Sequence, residues 1–205
     1  MSRHTIIFAS NNQHKVDEIQ KIITEKFDIL TLKDAGIDVD IPEPHDTLEA
    51  NAREKSTVIH KLTGGKNCFS EDTGLEVAAL KGEPGVKSAR YAGEGRDFKA
   101  NIDKLLHNLK GKHDRRARFR TVISLIWHTH EYCFEGQCTG KIIDTPRGEK
   151  GFGYDAVFVP DESNKTFAEM TMDEKNRFSH RRKAVDKLVH FLSHVDEDTM
   201  TVPAE

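Results

Sequence analysis

The chain opens in the order strand, polar loop, helix, strand, and no other feature constrains its fold as much. Thr5 to Ala9 is a short apolar run of the buried-strand kind. Ser10-Asn11-Asn12-Gln13 is a polar loop. Val16, Ile19, Ile23 and Phe27 then recur at helical spacing, and Ile29 to Leu32 reads as a second strand. Strands alternating with helices in this way favour an α/β fold. Further along, Asp46 and Glu49 make a capping-box pattern. They precede a helix with Leu48, Ala52, Ile59 and Leu62 on its apolar stripe, which Gly64-Gly65 ends. Cys68 to Ser70 is a short strand expected to end at Glu71-Asp72-Thr73-Gly74, and Glu83-Pro84-Gly85 is a turn. Asp97 caps a helix with Ile102, Leu105, Leu106 and Leu109. A long strand reaches Trp127, and Tyr132 to Ile143 is its hairpin partner. Thr171 and Glu174 form a second capping box. A last helix starts near Ser179, with Ala184, Val185, Leu188, Leu192 and Val195 inward.

Composition narrows the class. The chain has 205 residues, enough for one domain of two lobes over residues 1–195, followed by a polar tail over 196–205 that reads as mobile. Hydrophobic residues make up 36% and charged residues 32%, which supports a packed core. A net charge of -3 gives no general attraction to nucleic acid or to an anionic membrane. No apolar run approaches the ~20 residues that span a bilayer. No signal-peptide pattern opens the chain, so it reads as cytoplasmic. The 3 cysteines lack a Cys-x-x-Cys pair and read as reduced thiols. Among the 11 histidines, His128 and His130 read as a solvated hairpin tip.

A few residues break the patterns around them. Lys55 occupies a position on an apolar helix stripe, between Ala52 and Ile59. It either snorkels its ammonium to water or points it into a cleft. Glu71 and Asp72 lie together at a buried-type strand, which is costly unless they are solvated or bind a cation. Adjacent strand residues face opposite sides, so at most one of them faces a given site unless the strand ends there. Glu43, in a proline-bounded loop, could supply another carboxylate. Oxygen donors without histidine or thiol suit Mg2+. Ser10 to Lys15, between a strand and a helix N-terminus, is a natural phosphate site, although no Walker A loop occurs. Gly151-Phe152-Gly153-Tyr154-Asp155 lets backbone and an aromatic ring approach a flat ligand. Ser179-His180-Arg181-Arg182-Lys183 places cations at a helix N-terminus, against the macrodipole, which hints at an anionic or electron-rich partner.

In this order the motifs resemble the inosine/xanthosine triphosphate pyrophosphatases of the Ham1 type. The matching stretches are Ser10-Asn11-Asn12-Gln13-His14-Lys15, Ser70-Glu71-Asp72-Thr73-Gly74-Leu75, Gly82-Glu83-Pro84-Gly85 with Ser88-Ala89-Arg90-Tyr91-Ala92-Gly93, Gly151-Phe152-Gly153-Tyr154-Asp155, and Glu174-Lys175 with Ser179-His180-Arg181. The chain departs from the family pattern at Ala156, at Pro44-His45-Asp46 after Glu43, and at Ala50. The resemblance implies a long curved mixed sheet with flanking helices, two lobes around an active cleft, and a homodimer. It implies hydrolysis of ITP, dITP or XTP to the monophosphate and pyrophosphate, a small-molecule substrate, and Mg2+ as cofactor. In the family, Ser10, Asn11, Asn12, Gln13, His14 and Lys15 hold the triphosphate beside Thr73. Asp72 is the proton acceptor for the attacking water. Lys15 and Lys55 face phosphate, and Glu43, Glu71 and Asp72 correspond to metal positions. Phe152, Gly153, Tyr154, Asp155, Lys175, His180 and Arg181 correspond to the base pocket, with Phe152 or Tyr154 expected to stack on the purine. Two other readings stay open: a Maf-like nucleotide pyrophosphatase, and a nucleotide- or RNA-binding module without turnover.

Overall fold

A computed structural model describes residues 4–23 and 27–194. The order of elements is β1 (His4–Phe8), α1 (Gln13–Ile22), β2 (Phe27–Thr31), α2 (Leu48–Leu62), β3 (Cys68–Val77), β4 (Pro84–Gly85), α3 (Phe98–Asn108), β5 (Arg116–Trp127), β6 (His130–Ile142), β7 (Phe158–Pro160), α4 (Met172–Asn176) and α5 (His180–His194). The strands form one sheet in the order β2-β1-β3-β5-β6-β7, with β4 paired to β3. β1 is parallel to β2 and β3, while β4 and β7 pair antiparallel. The sheet is therefore mixed and the fold is α/β, as the opening pattern favours.

The chain forms two compact units. One comprises the residues up to Asp72, Val122–Glu135 and the chain from Arg182; the other comprises Thr73–Thr121 and Gly136–Arg181. In the first unit β1 and β3 are covered on both faces. Ile6 and Phe8 of β1 join Phe69 of β3, Val16 and Ile19 of α1, and Leu188 of α5 in one core. Ile7 and Cys68, one residue out of step, join Ile59 of α2 in another. This period of two explains why Ile6, Ile7 and Phe8 of β1 are all apolar rather than alternating. The second unit has its own core, in which Leu105 and Leu109 of α3 meet Leu75 of β3 and the rings of Phe119, Phe158 and Phe167. Full burial of each such side chain contributes about 1.5–3 kcal/mol.

Several boundaries differ from the sequence reading. α1 ends at Ile22, and Phe27 begins β2 rather than extending the helical face. Ile23 and Phe27 nevertheless pack against the same core, which is why the spacing misleads. The cap of α2 is Thr47, whose side chain accepts from Ala50 N; Asp46 lies one residue too early, and no capping box forms. Leu62 falls at the last turn of α2, where it is 59% exposed. β3 does not stop at Glu71-Asp72-Thr73-Gly74 but runs through it to Val77. Glu83-Pro84-Gly85 is a turn only in part, since Pro84–Gly85 pairs with Leu75 and Glu76 of β3. The caps at Asp97 and at Thr171 with Glu174 form as expected. His128 and Thr129 both have positive φ, making the tight turn between β5 and β6, and His128 and His130 are exposed there. Val195 and the tail over 196–205 lie outside the described residues. Among the described residues no helix is long and apolar enough to cross a membrane.

Candidate active site

Two groups of side chains carry chemistry, one in each unit. The first is built on β1, α1, α2 and β3. The loop after β1 is organised from within: Asn12 N donates to Ser10 Oγ at 3.1 Å, and Asn12 caps α1 by accepting from Lys15 N at 3.4 Å. Asn11 Nδ2 donates to Val39 O at 3.1 Å, Gln13 Nε2 to Asp17 Oδ1 at 2.7 Å, and His14 is exposed. The first turn of α1 holds no acidic residue, so its positive end stays available to an anion.

The strand's period of two decides where the acids go. Odd-numbered Phe69 faces the α1 core, and Glu71 follows it: its Oε1 lies 2.8 Å from Lys15 Nζ. Even-numbered Cys68, Ser70 and Asp72 face α2. Ser70 Oγ donates to Ala52 O at 2.5 Å, and Lys55 Nζ lies 3.3 Å from Asp72 Oδ1. Lys55 Nζ also donates to Glu43 Oε1 and to the Glu71 carbonyl, each at 2.7 Å. Lys55 is only 7% exposed, so its ammonium does not snorkel. The ammonium ends among acceptors, which resolves its odd place on an apolar stripe. The acids expected at a metal are thus divided, Glu71 with Lys15, and Glu43 and Asp72 with Lys55. Among the described residues no group of three or more histidine, cysteine or acidic side chains is arranged as a metal cluster.

The electrostatics follow from burial. Burial works against the Lys55 ammonium, but Asp72 and then Glu43 outweigh it and hold its pKa above the ordinary lysine value. For Asp72 burial is the largest influence and raises the pKa; Lys55 and Lys15 pull it down without cancelling, and Glu43 adds to the rise. Asp72 Oδ2 is buried and among the described residues has no hydrogen-bond partner. A buried carboxylate with one oxygen held by a lysine and one left open is equipped to accept a proton or to meet a cation.

The second group lies in the other unit. Asp155 is its hub: Oδ2 accepts from Phe152 N at 3.0 Å and from Lys175 Nζ at 2.8 Å. Gly151 is required here, because a Cβ on it would stand 2.1 Å from that same oxygen, at a φ of +74°. Lys175 Nζ lies 5.3 Å from the Phe152 ring centre, and Arg181 Cζ lies 5.5 Å from it. Arg181 is buried, and its Nη2 donates to Thr73 Oγ1 at 3.4 Å; Thr73 in turn is 2.7 Å from the hydroxyl of Thr121. His180 is buried and stacks on Phe119, with centroids 4.6 Å apart. Gly153, with a φ of +60°, turns the loop between Phe152 and Tyr154.

Tyr154 does not present its ring to a ligand. It is buried in the core of this unit and its hydroxyl donates to Ser88 O at 2.7 Å, which leaves Phe152 as the ring of the two that lies outside that core. The sequence reading also missed Phe98. By spacing it belongs to the apolar stripe of α3, yet it is 38% exposed and its ring centre lies 6.1 Å from that of Phe152. Only its position at the very start of α3 could have signalled that.

The model of the Ham1 family matches residues 6–191. A dITP/XTP pyrophosphatase of Flavobacterium johnsoniae is 46% identical over 188 residues, covering 92% of this chain and 97% of the relative. One of Porphyromonas gingivalis is 49% identical, covering 91% and 96%. Among solved structures, the Ham1 protein of Staphylococcus aureus aligns with a TM-score of 0.84 at 40% identity, over 92% of this chain and 98% of that one. A HAM1 protein of Coxiella burnetii aligns with a TM-score of 0.86 at 33% identity, over 94% and 100%.

Proposed function

The chain belongs to the Ham1 family, and from that premise we infer that it is a nucleoside triphosphate pyrophosphatase acting on deaminated purine nucleotides. It hydrolyses dITP, ITP or XTP to the monophosphate and pyrophosphate, and so removes them from the nucleotide pool. The observation that carries the hydrolytic reading is Asp72, buried, with Oδ1 on Lys55 and Oδ2 open. Water attacks the α-phosphorus while Asp72 takes its proton. A bond from the water oxygen to the α-phosphorus forms, the α–β anhydride bond breaks, and pyrophosphate leaves. Lys15, Lys55 and the N-terminus of α1 are the cationic and N–H donors that receive the triphosphate.

Asp72 Oδ2, an open carboxylate oxygen with Glu43 acting on the same carboxyl group, is a donor of the kind that fits Mg2+, which typically takes one or two carboxylates and leaves its other positions to water and phosphate. Asp72 and Glu43, with Glu71 nearby in sequence, are the residues that would hold it. When bound, it supplies neutralisation of triphosphate charge.

The base group reads hydrogen-bond polarity. Hypoxanthine and xanthine carry an acceptor oxygen at position 6, and adenine carries a donor amine. Arg181 offers only donors, so adenine's amine finds no acceptor from it. Phe152 supplies the stacking surface. A product assay with ITP, XTP, ATP and GTP in Mg2+ tests the reading: pyrophosphate is expected from ITP and XTP, and little from ATP or GTP. Absence of pyrophosphate from all of them would overturn it in favour of a binding module. Arg181→Ala is expected to cut the preference for ITP over ATP, as kcat/KM, by at least about tenfold. Because Arg181 is buried, Arg181→Lys is measured beside it, and the melting temperature shows which variant keeps the fold. An unchanged preference in a folded variant removes Arg181 from base reading.

The family resemblance also carries a homodimer and a cytoplasmic location into this proposal. Light scattering on the purified chain tests the first, and a monomer at micromolar concentration would exclude it.

A further inference from the structure

Helix α5 carries a pair of imidazoles that the reaction does not use. His190 and His194 are both exposed, and their ring centres lie 4.3 Å apart with the planes at 45°. Residues four apart lie one above the other on a helix face. It is the spacing at which two helical histidines take one metal ion.

The second nitrogen of His194 is already committed. Nδ1 lies 2.8 Å from the His190 carbonyl oxygen and 3.1 Å from Ser193 Oγ. A carbonyl oxygen only accepts, so Nδ1 carries the proton and Nε2 keeps its lone pair. Ser193 Oγ donates to the same carbonyl at 2.8 Å and helps to fix it. A ring N–H given to a backbone carbonyl is the arrangement that orients a ligating histidine. One turn earlier on the same stripe, Asp186 is held 2.7 Å from Arg182 Nε. That leaves the two imidazoles as the ligands.

We propose that His190 and His194 form a surface chelate for a borderline divalent transition-metal cation of the Zn2+, Ni2+ or Cu2+ class. Water completes the coordination, because among the described residues no group of three or more such ligands forms a cluster. Imidazole nitrogen suits these ions, whereas the carboxylates around Lys55 suit Mg2+. Excess Mg2+ therefore does not displace the bound ion.

Calorimetric titration of Ni2+ into the untagged 205-residue chain, in excess Mg2+, tests this. His190→Ala and His194→Ala are each expected to weaken the binding at least about tenfold, since each leaves a single nitrogen where two acted together. Ni2+ is expected to raise the melting temperature of the wild type and not of these variants. The double variant His128→Ala/His130→Ala, at the hairpin tip, is expected to bind as the wild type does. Hydrolysis of ITP without Ni2+ is expected to be the same in all of them. All the substituted side chains are exposed, so the fold is not at stake, and circular dichroism verifies it. Equal Ni2+ affinity in wild type and His190→Ala, or loss of binding in the hairpin variant alone, would overturn the assignment.

Discussion

Asparagine in place of Asp72 is expected to stop pyrophosphate release and, at the same time, to make the protein more stable. The first effect follows from the role proposed for it. Removing a positioned proton acceptor costs about 10²–10⁴ in rate. The amide keeps the shape of the carboxylate, so nucleotide binding stays measurable while turnover is lost. The second effect follows from burial. Asp72 has a folded-state pKa raised above its ordinary value, and burial is the main cause. A carboxylate whose folded pKa is raised binds its proton more tightly in the folded state. Its charge therefore destabilises the fold as pH rises from the ordinary carboxylate value through the folded one. That cost is present above the ordinary carboxylate range, and the neutral amide does not incur it. The amide oxygen of the Asp72→Asn variant can still accept from Lys55, which also keeps its bond to Glu43. A higher melting temperature is expected, on a scale of roughly 2–4 °C for each kcal/mol in a chain of this size. Thermal melts of the metal-free protein across pH check the sign: the gap between variant and wild type should close in acid, where Asp72 is protonated. Turnover near the wild-type rate would remove Asp72 as the proton acceptor. A lower melting temperature at neutral pH would show that the Lys55 pairing outweighs burial.

How much of this could be read from the chain depends on whether a residue's role is fixed locally. The opening of the fold was legible because strand, helix and strand follow one another, which favours an α/β arrangement, and the structure covers Ile6, Ile7 and Phe8 on both faces. Lys55 was legible as an anomaly, since a charge on an apolar stripe demands partners, and the structure supplies Glu43, Asp72 and a carbonyl. The path of β3 was misread because Glu-Asp-Thr-Gly has the composition of a turn. What keeps it in strand is remote in sequence: Lys15 and Lys55 compensate the two acids from helices on either face. Tyr154 and Phe152 are two residues apart in one loop and chemically alike, yet one is core and the other meets the cations. Periodicity cannot separate them, because Ser88, the partner that buries the Tyr154 hydroxyl, is 66 residues away. Phe98 fails for the converse reason, having core spacing at a helix start that lies beyond the core.

Methionine in place of Lys55 is expected to have the opposite effect on stability from the Asp72 change, although both abolish activity. Methionine fills the same volume without charge. It leaves Glu43, Asp72 and the Glu71 carbonyl without the ammonium that now donates to all three. Breaking a buried ion pair by removing one partner costs about 3–5 kcal/mol, because the remaining charge stays uncompensated. For a chain of this size that is a fall of roughly 6–20 °C in melting temperature. The loss should shrink in acid, where the stranded carboxylates take up protons, and the melts should show it. Combining the two changes isolates the interaction. If Lys55 chiefly serves to neutralise Asp72, the double variant Lys55→Met/Asp72→Asn should regain a large share of the lost stability, well outside the ~0.5 kcal/mol within which independent sites add. It should regain no activity, because both the proton acceptor and a phosphate-facing cation are gone. A double variant as unstable as Lys55→Met alone would shift the main partnership to Glu43, whose Oε1 lies closer to the ammonium than Asp72 Oδ1 does. The site is thus held at a cost to the fold. The acid proposed as the proton acceptor is the one burial penalises, and the lysine on the apolar stripe offsets part of that penalty where the strand continues through it.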